Sequence, residues 1–408
     1  MSHSLRNHRV GTLIKNFQRF ESTGVSSNPK HIKEVWSNFQ IRPTSLKIDN
    51  TEIKKGIFNK VDENRGPLSI SEVAQRLTYH SPNEIDETFK QAYEILQNKA
   101  NETYTRIQSL EKKLNQTDNE LEQLNLKNTL DKLKIEAEKE NPEVLYNVNY
   151  NSSDSLDKSH PVYRYYLKDK WQNQGLMLTM QRLETLHVIP DTLPTFEPSV
   201  EVKVKFPHNK DPEFGNWITP GDILPAFAVE QPPTISIQEF DRIDGQDLYT
   251  IVLVNPDTPD LVKNSFSTTL HYGLTNVSLN NVDNIIGSEK LLENQDSIIF
   301  KPYLPILPEK NAGKYQRACL WVFKQTKELT DLSKIEREDF NIRSFSKLND
   351  LIPVGAHVWR QHFDRSVPSI REKYGLGKGR VFHRVRGTTP VPNPKKDKKK
   401  EEENPKEE

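Results

Sequence analysis

Between Val200 and about Gln325 the chain alternates short β-branched runs with turn residues: VEVKVKF, TISI, LYTIVLV, STTLHYGLTNV, SIIFKPY and RACLWVFKQ. Strands of this length and spacing build an all-β sandwich or barrel. LYTIVLV, Leu248 to Val254, is apolar on both faces, as a central strand held between two layers must be. It runs into NPDTPD, where Pro256 and Pro259 lack the N–H that a ladder needs, so pairing is expected to stop there. After the strands, weak amphipathic patterns predict one helix around Phe345 to Leu351 and another around Val358 to Tyr374.

The rest of the chain has a different texture. At 408 residues there is length for two or three folding units. Only 34% of the residues are hydrophobic, so some segments must be solvated tails or surfaces that order against a partner. Residues 1–22 carry Arg6, Arg9, Lys15 and Arg19, meet their first acid at Glu21, and place Leu5, Val10, Leu13, Ile14 and Phe17 largely on one side of a helix. That pattern fits a mitochondrial presequence removed near Arg19 to Thr23, with an ordinary basic tail as the alternative. Residues 23–82 read as an extended, irregular segment in which Ser69 or Ser71 caps a short helix carrying Val73, Ala74 and Leu77. Residues 83–141 are nearly free of Gly and Pro. Ile107, Leu110, Leu114, Leu121 and Leu124 keep a heptad-like spacing, and Leu126, Leu130 and Leu133 restart it after a skip. This predicts a long helix or helical hairpin, broken near Asn115 to Asp118, that either rests on its own domain or holds a partner. Residues 142–195 form a linker and a connector helix stopped by Pro190, residues 196–376 hold the strands, and 377–408 are a basic and then mixed-charge tail expected to be disordered.

Charge and cysteine content narrow the function. Lys+Arg and Asp+Glu are 57 each, so any nucleic-acid surface must be a local patch. Cys319 is the single cysteine, which excludes an intrachain disulfide framework and multi-cysteine zinc sites. No apolar run approaches the roughly 18–20 residues of a membrane span. No Gly-rich phosphate loop, metal-spaced Cys/His cluster or nucleophile elbow is present, and no catalytic residue, metal or cofactor is assigned. Local basic patches do exist. Arg360, Arg365, Arg371, Lys373, Lys378, Arg380, Arg384 and Arg386 face only Asp364 and Glu372, and GLGKGRVFHRVRG mixes bases with aromatics and glycines, a composition able to track a phosphate backbone. Arg42, Lys54, Lys55 and Lys60 form a weaker second patch.

The segment from about Phe214 to Tyr374 resembles the phosphatidylethanolamine-binding protein (PEBP) family. DLYTIVLVNPDTPD followed by His271, WITPGDI, YLPILPEKNAGKYQR and FDRSVPSI match that family's Asp-Pro-Asp-x-Pro, Leu-Thr-Pro, Gly-x-His-Arg and C-terminal helix segments in order. The resemblance implies a mainly β fold: a PEBP-like β-sandwich with peripheral helices, preceded here by an extended segment and a long α-helical, coiled-coil-like arm. It also implies a small pocket for phosphate-like anions at Asn255, Asp257, His271, Gln316 and Arg317. Three departures weaken that chemistry: Asn255 replaces the first acid, Gln316 the histidine before Arg317, and Ser366 a tyrosine. An amide in place of an imidazole keeps a dipole and loses a protonatable charge. The pocket is therefore read as vestigial, a satisfied core rather than a working site.

Plain PEBP-like domains need about 180 residues, and this chain adds roughly 200 before them. With RPTSLKI, EIKKGIFNK and EVAQRLTYHSPNEIDETF, the whole resembles, in its fungal form, the PEBP-like family of structural proteins of the mitochondrial large ribosomal subunit. That resemblance implies a matrix location, a place at the central protuberance, and mitochondrial large-subunit rRNA with neighbouring mitoribosomal proteins as partners, without a small-molecule substrate. The alternative is a soluble PEBP-like binder of phospholipid headgroups or an inhibitor of a protease or kinase.

Overall fold

The computed structural model describes residues 42–50, 53, 72–79, 85–243, 247–293, 298–330, 332 and 334–383. Residues 1–22 and most of the extension and C-terminal tail thus lie outside the described residues. Among the described residues nine strands form two sheets. β1 (Val200–Lys205), β3 (Thr234–Glu239) and β6 (Ile285–Ile286) make an antiparallel sheet in the order β1-β3-β6. The larger sheet has the order β2-β9-β8-β4-β5-β7, from β2 (Ile223–Pro225), β4 (Leu248–Asp260), β5 (Ser265–Ser278), β7 (Ile299–Lys301), β8 (Gln316–Lys324) and β9 (Ile352–His362). Its β2–β9 pair is parallel and the others are antiparallel.

The two-faced apolar character of LYTIVLV has a direct counterpart. Ile251 and Leu253 on β4 pack with Val202, Ile235, Ile237 and Leu320 between the two sheets. Val252 and Val254 face the other way, into a second core with Trp321, Val358, Leu183 and Phe345. A strand with both faces dry needs no alternation, so its continuous apolar run is what the position requires. The layers meet closely where β1 crosses β9: a Cβ on Gly355 would come within 2.6 and 2.7 Å of the Val200 and Val202 methyls.

Two expectations fail in this region. β4 does not end at Asn255. Its pairing with β8 stops at Val254–Cys319, but its pairing with β5 resumes at Thr258–Ser267 and runs to Asp260–Ser265. Pro256 and Asp257 form a bulge opposite Thr268, which absorbs the missing donor without breaking the ladder. The helix expected over Val358 to Tyr374 is instead the end of strand β9 followed by a short helix, Val367–Lys373. β9 lies between β2 and β8 with Ala356 and Val358 in one core and Trp359 in the other, so burial on both faces overrides the helical spacing. The preceding helix occupies Ile342–Leu348, a few residues earlier than expected.

The helical part is a hairpin. In chain order, α1 (Val73–Leu77) follows Glu72 as its cap residue, not Ser69 or Ser71. α2 (Ile85–Leu114) and α3 (Glu120–Glu138) turn at residues 115–119, where Asn119 accepts Leu121 N–H through its side chain. Ile107, Leu130 and Ala137 fill the seam between them, with Leu110, Leu114 and Leu133 at its margin. Leu121 and Leu124 point outward, 73% and 44% exposed. The register that restarts after the skip is the one the fold uses. α4 (Pro142–Tyr150) and α5 (Pro161–Lys170) lead through a π-helical stretch, Trp171–Leu176, into α6 (Met177–Thr185). The connector ends at Thr185, before Pro190, and His187 takes a left-handed backbone (φ 53°). Arg164 of α5 joins the parts, donating to Asp131 of α3 at 3.1 Å and to Phe240 O beyond β3 at 3.2 Å.

Arg42 is the firmest tie of the extension. Its guanidinium is 2% exposed, donates from Nε to Glu138 Oε1 at 3.0 Å, from Nη2 to Leu46 O at 2.8 Å, and pairs with Glu143. Glu138 is also bonded by Tyr104 Oη and, at 2.8 Å, by Asn141 Nδ2. Burial pushes the Glu138 carboxyl above its usual range, and Arg42 opposes that push. Replacing Arg42 by Met would strip the buried Glu138 and Glu143 carboxylates of the guanidinium they share. We expect a loss of about 3–5 kcal/mol in urea unfolding; a change within about 0.5 kcal/mol, as for an ordinary surface substitution, would contradict the tie.

Three histidines are buried as neutral rings. His160 Nδ1 accepts Val162 N–H at the start of α5, His271 Nδ1 donates to Leu304 O at 2.9 Å, and His357 Nε2 donates to Ile218 O at 3.3 Å. Burial lowers each pKa to about 4 from the usual 6.5. The unfolded chain therefore takes up protons first. Stability from the neutral rings is complete above about pH 6.5 and drains as pH falls toward 4, by up to ~1.4 kcal/mol per pH unit for each ring. The urea midpoint should fall between about pH 7 and pH 5; an unchanged midpoint would refute neutral burial.

Candidate functional site

The bulge in β4 and the start of β8 bring the expected pocket residues to one end of the larger sheet. Asn255 is buried, accepts Asp257 N–H at 2.9 Å and donates to Gln316 Oε1 at 3.2 Å. Gln316 returns its own N–H to Asp257 O at 3.4 Å. Arg317 then closes the ring. Its Nε and Nη2 hold Asp257, at 2.9 and 2.6 Å, and its backbone N–H donates to Asp257 Oδ2 at 2.8 Å. Nη1 is committed elsewhere, to Leu186 O at 2.8 Å, His187 O at 3.0 Å and Asp191 Oδ2 at 2.8 Å.

A guanidinium has five N–H donors in a fixed fork. Here two carboxylates and two backbone carbonyls hold most of them. Burial works against the charge of Arg317, but the bonds to Asp257 and Asp191 outweigh it and raise its pKa above the usual value. Beside it opens a cleft of about 600 Å³ whose wall includes Leu186, Asp191, Asp257, Tyr315, Gln316 and Arg317. An entering phosphate would meet an arginine already neutralised and two carboxylates. The cleft is a poor anion site by its own charges.

His271 does not join this wall. The partner of Leu253 is Tyr272 and that of Val254 is Leu270, which leaves His271 as the extra residue of a bulge in β5. Its ring turns to Leu304 O and, with its pKa at about 4, is uncharged near neutral pH. Of the five expected pocket residues, Asp257, Gln316 and Arg317 face the cleft, Asn255 braces them from behind, and His271 is a buried structural residue.

The basic candidates divide more sharply. Arg42 is corrected: it lies inside the helical part, fully paired with Glu138 and Glu143, and offers nothing to a phosphate. Lys54, Lys55, Lys60, Arg384 and Arg386 lie outside the described residues. Arg360 is half-buried, held by Gly221 O at 2.9 Å and seated over the Tyr315 ring at 5.3 Å. Arg371 donates to Gly377 O at 2.9 Å, and Lys373 pairs with Glu230 at 2.5 Å. Lys378 and Arg380 are exposed. The chain after the last helix folds back on the loop before β8: Arg380 N–H donates to Glu309 at 3.1 Å and Phe382 N–H to Lys310 O at 2.9 Å. That contact adds Lys310 and Lys314 to the basic strip, with Lys314 over Tyr315 at 5.1 Å. Sequence reasoning missed these two lysines, although the YLPILPEKNAGKYQR segment that holds them had been singled out. Among the described residues no cluster of His, Cys, Asp and Glu is placed to hold a metal ion, and no helix is long and apolar enough to cross a membrane.

Sandwich and added helices define a PEBP-like protein. The phosphatidylethanolamine-binding protein family matches residues 214–354. The chain is 30% identical over 221 residues to the large ribosomal subunit protein mL38 of Schizosaccharomyces pombe, covering 54% of this chain and 68% of that one. Solved structures with a similar chain path include a carboxypeptidase Y inhibitor in complex with its cognate proteinase (16% identity, TM-score 0.35, covering 46% of this chain and 95% of the inhibitor). A phosphatidylethanolamine-binding protein from Plasmodium vivax is comparable (16% identity, TM-score 0.34, 46% and 98% covered). This chain belongs to the family of large ribosomal subunit protein mL38, PEBP-like proteins of the mitochondrial ribosome. The relative that carries this assignment is a large ribosomal subunit protein.

The closed ring predicts silence toward small anions. Titrating phosphorylethanolamine into the purified chain by calorimetry should give no saturable heat. Saturable binding abolished by Arg317→Gln would show the pocket to be working.

Proposed function

We propose that this chain is a structural protein of the mitochondrial large ribosomal subunit, working in the matrix, where it binds rRNA through its C-terminal basic strip and neighbouring proteins through other surfaces. The observation that carries this reading is a pair: kinship with mL38 over more than half the chain, and a pocket whose arginine is consumed by its own carboxylates. A family member that kept the sandwich and spent its ligand chemistry on internal ties fits a scaffold better than a carrier. Lys310, Lys314, Lys378 and Arg380 supply exposed cations beside Tyr315, a mixture suited to backbone phosphates with an aromatic face nearby. A position at the central protuberance is part of the same proposal and rests on the family resemblance.

Cofractionation is the test. Tagged chain should sediment with mitochondrial large subunits after a salt wash and at constant stoichiometry; a chain found only in the soluble fraction would end the reading. For rRNA contact, Lys378→Glu with Arg380→Glu should lower the slope of log affinity against log salt by about 1 per cation removed. An unchanged slope would remove the strip from the interface.

A further inference from the structure

The β4–β5 hairpin reaches past the sandwich. β4 loses its β8 neighbour after Val254, so residues 255–270 form a two-stranded ribbon, backed at its base by the bond from Phe340 N–H to Thr268 O. Its tip is apolar and bare: Val262 is 95% exposed, Phe266 65% and Leu261 59%. Single exposed apolar residues are ordinary, but three together at the end of a projecting ribbon form a patch. The tip is also held in shape. Asp260 Oδ1 accepts the N–H groups of Val262 and Lys263, at 2.9 and 3.1 Å, and Asn264 takes a left-handed backbone (φ 49°). A pre-shaped tip loses little freedom on binding.

The charges around it choose the class of partner. Lys263 is the cation of the tip and is shared by two carboxylates, Asp339 at 2.6 Å and Asp260 at 3.7 Å. Glu338, next to Asp339, is exposed as well. The surface therefore presents apolar side chains beside the exposed carboxylates Glu338 and Asp339, while Arg337 is turned to the carbonyls of Leu270, His271 and Pro302; such a rim disfavours phosphates. Leu261 and Val262 offer bases no stacking face, and at Phe266 the neighbouring carboxylates oppose the phosphates that would accompany a stacked base. This is the reverse of the C-terminal strip.

We infer that the Leu261–Val262–Phe266 tip is a docking knob for a basic polypeptide segment carrying apolar side chains, not for RNA. The inference rests on the ribosomal reading, in which such a segment comes from a neighbouring protein. Phe266 and Val262 would fill an apolar recess between the segment's basic groups, which face Asp260, Glu338 and Asp339.

The test places a photo-reactive benzoylphenylalanine at Val262 of the full-length chain, with a second probe at Lys378, and irradiates purified mitochondrial large subunits. Sedimentation of the probe-bearing chain with the subunits is scored first, because its absence would overturn the ribosomal reading and this inference with it. In particles that contain the chain, the Val262 probe should join one discrete protein, through a peptide with Lys or Arg beside an apolar residue, while the Lys378 probe joins rRNA. Val262→Asp with Phe266→Asp, changes at exposed positions, should abolish the protein crosslink from a probe moved to Leu261 and leave the Lys378 crosslink intact. An rRNA crosslink from Val262, a crosslink to an acidic peptide, or no crosslink in chain-containing particles would each overturn the knob and leave the ribosomal assignment standing.

Discussion

One guanidinium organises the end of the sandwich where the family resemblance expects a ligand. Arg317 takes Asp257 from β4, its own place at the start of β8, and Asp191 with two carbonyls from the connector that enters the sandwich. Three segments far apart in sequence are thereby fixed to each other. The same bonds consume the charge that an anion would need, so fastening the added helices and closing the pocket are a single event. Charge-assisted bonds of this kind are strong because both partners are ionised and only partly solvated.

The helical additions repeat the logic with a different arginine. Arg42 draws the extension onto the hairpin by pairing with residues 96 and 101 positions away, and Leu46 is buried beside Val144, Tyr163 and Trp171. Removing Arg42 takes the shared counter-charge from two buried carboxylates, and that penalty, more than any net gain from the pairs, specifies the arrangement. The chain carries two chemically opposed surfaces, a basic strip along the C-terminal segment and an apolar, acid-rimmed knob on the β4–β5 ribbon.

Much of this was legible in the residues, and what was not has identifiable causes. The apolar run of β4 announced burial on both faces, and the polar stretch Asn115 to Asp118 marked the place of the hairpin turn. The end of β9 was misread because a strand dry on both sides carries no period-two signal, so Val358 to His362 was joined to the helix that follows. The ladder beyond Pro256 was missed because a bulge can carry proline through a strand, and bulges have no sequence signature of their own. Arg42 looked like a surface base because nothing local reveals a partner about a hundred residues away. At the site, Asn255 and Gln316 were legible as departures from the family pattern, whereas the capture of Arg317 by Asp191 depends on where the connector lands.

A cryo-electron microscopy map of mitochondrial large subunits from the source organism tests the central claim most directly. The account predicts density for this chain with Lys378 and Arg380 against rRNA phosphates and with Arg317 still clamped on Asp257 and Asp191. Particles lacking the chain, or a phosphate-like ligand seated on Arg317 in place of those carboxylates, would contradict it.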